Sequence, residues 1–422
     1  MKILVVGAGG REHALCRTFS LSGKVEKIYC ANGNAGIAGI AECIGIKPDN
    51  IPALADFAAQ NAVDLTFVGG EVSLALGIAD EFESRGLDIV GAGRDAARLE
   101  SSKVFAKDFM ARHGIPTAKY RSAGSPAKAV AILEAGEFGG ADAPVVVKAD
   151  GLAAGKGVVV ARNRAEAVAA INDMENLAGP EAAGRIILEE CLTGREVSLI
   201  MFADGASFAL MPPTRDHKRI GENDTGANTG GMGTITDSGL LGDAQTAEIV
   251  ETIVEPTLKG CRDEGYPFRG ILFLGLMMTA AGPKLLEYNV RFGDPETQVI
   301  LTRLKTDLVD ICEAILAGDL AALDIEWQAG NSACVVLAAE GYPQKPRTGD
   351  VIHGLDTAEE GDTIIFHAGT AKNENGDIVT AGGRVLGVTA VAGSLDEALD
   401  NAYHAVNGIS WNGMQYRRDI GK

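Results

Sequence analysis

The sequence lacks a surplus of basic residues. Its 38 lysines and arginines stand against 57 aspartates and glutamates, which gives a formal net charge of -19 over 422 residues. Proteins that bind nucleic acid through its phosphate backbone need a lysine and arginine surplus. We therefore expect no nucleic-acid partner, although helix N-termini and single buried lysines can still bind small anions.

Cysteine pairs and long apolar runs are also missing. The seven cysteines are scattered and form no C-x-x-C pair, which is typical of reduced thiols and argues against a zinc site. The longest apolar run, residues 271–282, is shorter than the roughly 20 residues that span a bilayer. The first strand has few apolar residues before its glycines, whereas a secretory signal needs about seven or more. We expect a cytoplasmic protein with no membrane partner.

Glycine, by contrast, is abundant, with 54 residues against a usual share of about 7%. Many of these glycines lie in clusters. A strand at 2–6, a glycine turn at 7–10 and a helix from Arg11 begin an alternation of strands and helices, which predicts an α/β fold with a doubly wound parallel sheet. Further along, the pattern predicts one helix that carries Lys103 and ends near residue 113.

The rest of the chain predicts two further regions. Residues 117–188 fit a β-α-β-β-α-β unit with a glycine-rich loop at 151–157. Longer strands follow, separated by an extended polar loop at 214–236, and loops of that length are usually functional. Beyond Trp327, short strands joined by Gly-Asp turns indicate a β-rich region. The predicted domains are an N-terminal domain at 1–103, a central α+β domain at 104–326 with a lid at 117–188, and a C-terminal domain at 327–422.

The first glycine cluster is a candidate phosphate site. Gly7, Gly9 and Gly10 precede a helix, as in the dinucleotide fingerprint G-x-G-x-x-G, but Glu12 occupies the third glycine position. The dinucleotide interpretation is therefore weak. A helix N-terminus behind glycines can bind a single phosphate, and we favour that role over tight packing alone.

A second group combines Lys148, the loop 151–157 and the pair Glu189-Glu190. The N–H groups of a glycine hairpin can approach triphosphate oxygens, and Lys148 adds a positive charge. The loop is not a P-loop, because Gly157 stands where that motif needs Ser or Thr. A solvated surface lysine is the alternative, which the preceding apolar run 144–147 disfavours.

Glu287 and Asn289 end a predicted strand, where alternate residues point to the same face. One carboxylate and one amide oxygen suit Mg²⁺, which takes oxygen ligands and bridges nucleotide phosphates. By itself this pattern also occurs by chance. Arg291 follows directly and has the charge to contact a transferring phosphate.

The polar segment 214–236 contains Asp216-His217-Lys218-Arg219 and the glycine-rich string at 228–233. A solvated loop with turn glycines is the simplest interpretation. Its polar groups and glycines favour instead the close approach of a polar ligand. His217 has the chemistry of a general base, but we favour a role in positioning a substrate.

Taken in order, these strings resemble those of the ATP-grasp ligases, and over essentially the whole chain they resemble the phosphoribosylamine-glycine ligase family. The matching strings are residues 9–14, 148–157, 216–219, 228–233 and 291–296. The resemblance implies ATP-dependent ligation of glycine to 5-phosphoribosylamine through a glycyl phosphate, which gives glycinamide ribonucleotide in purine biosynthesis. It also implies Mg²⁺, with Mn²⁺ as a substitute, and we expect a monomer.

The resemblance further implies roles for individual residues. ATP would be bound by Lys103, Lys148, Gly151, Gly155, Lys156, Gly157, Glu189, Leu192 and Glu196. The metal would be bound by Glu287 and Asn289, and the catalytic residues would be Arg291 and Asp216. The two other substrates, glycine and the amine, would be bound by Asp216, Asn228, Gly230, Gly231, Gly9, Gly10 and Glu71.

The chain departs from the family pattern in two places. Residues 69–73 lack the two prolines of the usual Gly-Pro-Glu-x-Pro stretch, having Gly70 and Ser73 instead, and Ala227 replaces another usual proline. These departures predict looser loops around the amine substrate.

Three other kinds of protein share parts of the pattern. An ATP-grasp enzyme that carboxylates or formylates a nucleotide would share the ATP half but lack the strings at 216–219 and 291–296. A non-catalytic nucleotide-binding protein would lack Glu287 or Asn289. An NAD-dependent oxidoreductase is disfavoured by Glu12.

Overall fold

Three sheets form the framework of the molecule. The computed structural model describes residues 1–152, 157–358 and 361–422. Within these ranges there are a five-stranded, a four-stranded and a nine-stranded sheet and two small two-stranded ribbons. No helix in the same ranges is both long and apolar enough to cross a membrane.

The N-terminal sheet is parallel, with strand order β3-β2-β1-β4-β5. Ile3 and Val5 pack into one core and Leu4 and Val6 into another, so the sheet is covered on both faces, as in a doubly wound fold. Its strands are β1 (Lys2–Gly7), β2 (Lys27–Asn32), β3 (Glu42–Ile44), β4 (Leu65–Val68) and β5 (Ile89–Val90). Its helices are α1 (Gly10–Ser20), α2 (Ile51–Gln60), α3 (Glu71–Ala75), α4 (Ile78–Ser84) and α5 (Arg94–Ser101).

The helix predicted to carry Lys103 is in fact two helices. Helix α5 ends at Ser101, and a new helix, α6 (Lys103–Arg112), follows. Ser102 between them has an extended backbone, and its hydroxyl accepts a hydrogen bond from the N–H of Phe105. A serine in this position caps the start of a helix, so Lys103 lies in the first turn of α6.

The predicted β-α-β-β-α-β order at 117–188 is confirmed as a four-stranded antiparallel sheet, with strand order β6-β9-β7-β8. It has its own small core, which includes Val147, Ile171 and Leu188. Glu189 pairs with Val146, two residues from Lys148, so the side chains of Glu189 and Lys148 share one face. The elements are β6 (Tyr120–Ala123), α7 (Pro126–Glu134), β7 (Val145–Ala149), β8 (Val158–Ala161), α8 (Arg164–Ala178), α9 (Pro180–Ala183) and β9 (Ile186–Glu190).

The nine-stranded sheet has the order β17-β16-β10-β12-β15-β18-β22-β19, with β11 paired to β10. Its strands are β10 (Arg195–Asp204), β11 (Phe208–Leu210), β12 (Thr214–Asp216), β15 (Gly233–Thr236), β16 (Arg269–Thr279), β17 (Gly282–Asn289), β18 (Asn331–Ala338), β19 (Thr363–His367) and β22 (Arg384–Ala392). Since β15 pairs with β18, the boundary predicted at residue 327 lies between strands of one sheet.

The remaining elements lie around this sheet. The two ribbons are β13 (Arg219–Gly221) with β14 (Thr225–Asn228), and β20 (Thr370–Lys372) with β21 (Ile378–Thr380). The helices are α10 (Asp243–Ile249), α11 (Glu255–Asp263), α12 (Glu296–Leu301), α13 (Leu308–Ala317), α14 (Leu355–Ala358) and α15 (Leu395–Gly408), and a π-helical turn (Val250–Val254) joins α10 to α11.

The segment 214–236 is not the extended loop that the sequence suggested. It contains four short strands, β12 to β15. Two of them pair with residues far away in the sequence: Thr214 with Ser198, and Thr234 with Cys334. Strands of three or four residues leave too short an alternation to recognise locally, so their distant partners define them.

Candidate functional site

A buried ion cluster joins helix α6 to the four-stranded sheet. The Nζ atom of Lys148 lies 2.9 Å from Oε1 of Glu189, and Nζ of Lys107 lies 3.0 Å from Oε2 of the same carboxylate. Burial by itself raises the pKa of Glu189, but the two lysines outweigh it and hold that pKa below its usual value. Lys107 was missed in the sequence. Its spacing of four residues from Lys103 on one helix is the signal that could have found it.

Helix α6 also holds the start of the glycine-rich loop. Nζ of Lys103 donates a hydrogen bond of 2.8 Å to the carbonyl of Gly151, and burial lowers the pKa of this lysine. Asp150 accepts hydrogen bonds from the hydroxyl of Ser102 and the N–H of Val104. The predicted residues Gly155 and Lys156 lie outside the described residues. The far end of the loop returns at Gly157, whose carbonyl accepts from the N–H of Ala149 at 2.8 Å.

The pair predicted to bind a metal lies at the end of β17. Burial opposes ionisation of Glu287, but Lys218, Lys148 and other nearby cations lower its pKa. Nζ of Lys218 is 3.9 Å from Glu287 and 3.0 Å from Glu196 on β10. Leu192 is half-buried in the connection between β9 and β10. The carboxylate and amide side chains of Glu287 and Asn289 form an oxygen donor set of the kind that Mg²⁺ prefers.

Arg291 connects this pair to the N-terminal domain. Its Nη2 atom donates to Oδ1 of Asn289 at 3.1 Å and to Oε1 of Glu100 at 2.7 Å. Its Nε atom lies 3.3 Å from Oε2 of Glu71. Burial by itself raises the pKa of Glu71, but Arg291 and Arg11 lower it. Glu100 has no sequence motif that marks it, since its partner is 191 residues away.

Carboxylates crowd together on the other side of the site. Oδ1 of Asp216 is buried and has no hydrogen-bond partner among the described residues. Burial and the neighbouring carboxylate of Glu296 raise the pKa of Asp216 well above its usual range, although Lys218 and Arg384 oppose this. A Cβ atom added at Gly231 would lie 2.7 Å from this oxygen, so only glycine permits the approach. Asp216 and Lys218 also line a small cavity together with Glu196.

Two residues beyond 327 hold the glycine-rich string next to Asp216. Nη1 of Arg384 donates to the carbonyls of Gly230 and Asp294, each at 2.5 Å. The N–H of Gly230 donates to the hydroxyl of Tyr342 at 3.0 Å. On the opposite side, Nδ2 of Asn228 reaches the carbonyl of Val158 on β8 at 3.5 Å. Arg384 and Tyr342 were missed because only the folded chain brings them here.

The glycines at the start of α1 pack against the segment after β17. The N–H of Gly9 donates to Oε2 of Glu12 at 2.6 Å. A Cβ atom at Gly9 would lie 3.1 Å from Asp294, and one at Gly10 would lie 2.6 Å from Gln298. The two glycines therefore allow a close approach between distant parts of the chain. A phosphate role for Gly9 and Gly10 stays a prediction.

His217 is a structural residue of the segment. Its Nδ1 atom lies 3.2 Å from the carbonyl of Gly233, and its Nε2 atom accepts a hydrogen bond from the N–H of Gly421. Burial, together with Arg215 and Arg417, lowers its pKa to about 4. Since both ring nitrogens contact backbone groups, His217 is not placed as a general base.

The sequence matches one family of known proteins along almost its whole length. Residues 1–100, 101–297 and 332–422 match the family models "Phosphoribosylglycinamide synthetase, N domain", "ATP-grasp (A) domain" and "C domain". A phosphoribosylamine-glycine ligase of Xanthomonas campestris is 47% identical over 100% of this chain and 97% of its own length. The chain belongs to the phosphoribosylglycinamide synthetase family. The resemblance seen in the motifs is thereby confirmed.

Other relatives agree with this membership. The phosphoribosylamine-glycine ligase of Escherichia coli O6:H1 is 47% identical over 100% of this chain and 98% of its own length. The crystal structure of the Thermotoga maritima phosphoribosylamine-glycine ligase aligns with a TM-score of 0.84 and 33% identity, over 100% of both chains. The expected architecture of an N-terminal parallel sheet, a central ATP-grasp fold and a C-terminal region is also confirmed.

Proposed function

We propose that this family member ligates glycine to 5-phosphoribosylamine at the expense of ATP, which gives glycinamide ribonucleotide, ADP and phosphate in purine biosynthesis. The observation that carries the proposal is the position of Arg291. It contacts both Asn289, a proposed metal ligand, and Glu71, a proposed residue of the amine site. A ligase must bring an activated carboxylate to an amine, and one cation between the two sites serves that purpose.

We assign the nucleotide to the cationic side of the site, which is formed by Lys103, Lys107 and Lys148. Lys148 is buried and Lys103 is partly buried at the junction of α6, β7 and β9, where ammonium groups attract phosphate strongly. The residues proposed to bind ATP are Lys103, Lys148, Gly151, Gly155, Lys156, Gly157, Glu189, Leu192 and Glu196. For Glu189, whose carboxylate is engaged by two lysines, we assign the adenine contact to the backbone that follows it.

Glu287 and Asn289 are proposed to bind Mg²⁺, with Mn²⁺ as a substitute that accepts the same oxygen donors. Glu287 is held in its ionised form, which suits a divalent cation. The metal ion, when bound, neutralises charge on the phosphate oxygens of the nucleotide.

We assign glycine to the carboxylate side of the site, which is formed by Asp216, Asp294 and Glu296. Asn228, Gly230 and Gly231 lie next to it. The unpartnered oxygen of Asp216 is suited to accept a hydrogen bond from an ammonium group. The amine substrate is assigned to Glu71 and to the glycines 9 and 10. Ser73, one of the family departures, donates a hydrogen bond of 2.6 Å to the carbonyl of Pro48.

The chemistry proceeds in two steps. A carboxylate oxygen of glycine attacks the γ-phosphorus of ATP, and ADP leaves. Arg291 stabilises the negative charge on the transferring group. The nitrogen of the amine then attacks the carbonyl carbon of glycyl phosphate, phosphate leaves, and a proton is released as the amide forms. Asp216 holds the ammonium group of glycine away from the phosphate throughout.

We also propose a monomeric, cytoplasmic enzyme without nucleic-acid or membrane partners, with domains at 1–103, 104–326 (lid 117–188) and 327–422. The net charge of -19 supports the first exclusion.

Measurement of ADP release tests the function. We expect rapid release only when glycine and 5-phosphoribosylamine are both present, with formation of one glycinamide ribonucleotide per ADP. Release that needed bicarbonate or formate instead of glycine would assign the chain to another reaction.

A further inference from the structure

Lys107 on α6 is linked by short polar contacts to β9 and, through Thr117, to β17. It lies on α6 and is only 2% exposed. Its Nζ atom lies 3.0 Å from Oε2 of Glu189 on β9 and donates to the hydroxyl of Thr117 at 2.7 Å. That hydroxyl in turn donates to the carbonyl of Leu285 on β17 at 2.6 Å. The lysine is therefore fixed relative to both the four-stranded sheet and β17, the strand that carries Glu287 and Asn289.

The position of Lys148 depends on this arrangement. The carboxylate of Glu189 uses one oxygen for Lys107 and the other for Lys148. Lys107 thus sets the rotation of the carboxylate, and the carboxylate sets the place of the Lys148 ammonium group. Lys148 also lies 3.5 Å from the carbonyl of Leu286, the residue before Glu287.

The positive charge of Lys107 indicates whether the residue serves ligand binding or only packing. Burying an ammonium group is costly, and removing one partner of a buried ion pair is strongly destabilising mainly when the other charge is left uncompensated. A methionine at position 107 would fill the space of the lysine stem and would leave Glu189 still paired with Lys148. Packing alone therefore does not require a lysine here.

We propose that Lys107 is a positioning residue for the nucleotide. Through Glu189 it orients Lys148, and it leaves the cluster of two ammonium groups and one carboxylate with a net charge of +1 beside the phosphates. Without Lys107, the charge of Lys148 is fully balanced by Glu189, and its attraction for phosphate falls. The proposal rests on the proposed function, because it takes the bound anion to be the triphosphate of ATP.

The test compares binding of ATP and adenosine to Lys107→Met, Lys107→Arg and the exposed control Lys305→Met. Titration calorimetry gives the Kd of ATP, and competition with ATP gives that of adenosine. We expect Lys107→Met to raise the Kd of ATP about tenfold, since a unit charge near a phosphate is removed, and that of adenosine less than about twofold. Lys107→Arg keeps the charge and should stay within about threefold of the parent. Lys107→Met should still fold cooperatively, with only a small fall in melting temperature, because Lys148 continues to balance the charge of Glu189.

A second variant tests the charge argument directly. Lys107→Met combined with Glu189→Gln restores a net charge of +1, and we expect it to bind ATP more tightly than Lys107→Met alone. Equal losses for ATP and adenosine in Lys107→Met, unchanged ATP affinity, or no recovery in the double variant would each overturn the proposal. A parent protein that failed to bind ATP would instead refute the proposed function.

Discussion

The two sides of the site carry opposite charge. On one side, Lys107 of α6 and Lys148 of β7 contact a single buried carboxylate, Glu189, and Lys103 lies one turn before Lys107 on α6. On the other, Asp216, Asp294 and Glu296 crowd together, and one oxygen of Asp216 has no partner among the described residues. The first side is complementary to a polyanion and the second to a small cation. The four-stranded and nine-stranded sheets therefore each contribute one side, and the two sides are suited to ligand groups of opposite charge.

The difference is visible in the protonation of the two carboxylates. Lysines hold the pKa of Glu189 below its usual value, against the effect of burial. Burial and Glu296 raise the pKa of Asp216. An ammonium group placed against Asp216 would lower this pKa again, because an opposite charge favours the ionised form. Glycine is thus expected to supply the cation that the carboxylate side lacks.

Glu287 and Asn289 lie at the boundary between the two sides, and we expect the largest loss of turnover from substitutions there. Glu287→Gln replaces a charged carboxylate with a neutral amide, and Asn289→Ala removes an oxygen donor. We expect turnover at fixed Mg²⁺ to fall by roughly a hundredfold in each variant. The Mg²⁺ concentration needed for half-maximal rate should rise. Steady-state rates measured against Mg²⁺ concentration check this, with the exposed Glu26→Gln as control. An unchanged Mg²⁺ requirement in both variants would remove the metal assignment.

Asp216→Asn removes a negative charge from the carboxylate side and leaves the cationic side unchanged. Loss of a charge-assisted hydrogen bond should raise the KM of glycine by about tenfold or more, while the KM of ATP should change less than about twofold. The exposed Asp95→Asn serves as the matched control. Equal changes in both constants would mean that Asp216 supports the fold, and an unchanged glycine KM would move the glycine site elsewhere.

Changing the pH should affect the two sides in opposite directions: the affinity for ATP should fall in base, and the affinity for glycine should fall in acid. Burial and Lys148 lower the pKa of Lys107 to about 8, so its charge is lost as the pH rises through that value, and ATP should bind several-fold more weakly at pH 9 than at pH 7. The raised pKa of Asp216 means that its charge is lost as the pH falls, so glycine should bind more weakly in acid. Binding constants for ATP and for glycine between pH 5.5 and 9 check both slopes. Parallel curves would contradict the assignment of opposite charges.

The smallest expected effect concerns motion of the four-stranded sheet. This sheet has a hydrophobic core separate from those of the other sheets, so it can move as a unit. Amide exchange in β7 and β8 should slow when ATP is added, because the nucleotide joins Lys148 to Lys103 on the body of the protein. Protection confined to residues before Lys103 would place the nucleotide elsewhere.

Local sequence predicted some of these features and not others. The parallel, doubly wound sheet of the N-terminal region follows from its alternating strands and helices, and the hairpin with Lys148 follows from glycine placement. Lys107 shares a helix face with Lys103, but its partner Glu189 lies 82 residues further on. Arg384 and Tyr342 reach Gly230 only because β15 pairs with β18. Contacts of this kind depend on the tertiary fold and leave no local pattern.

The order of chemistry can be measured directly with glycine that carries ¹⁸O in its carboxylate. If a carboxylate oxygen attacks the γ-phosphorus before the amide forms, one ¹⁸O atom should appear in each phosphate released with glycinamide ribonucleotide. Mass spectrometry of the released phosphate gives the answer. Full transfer of one label per turnover is the predicted result, and phosphate without ¹⁸O would contradict a glycyl phosphate intermediate.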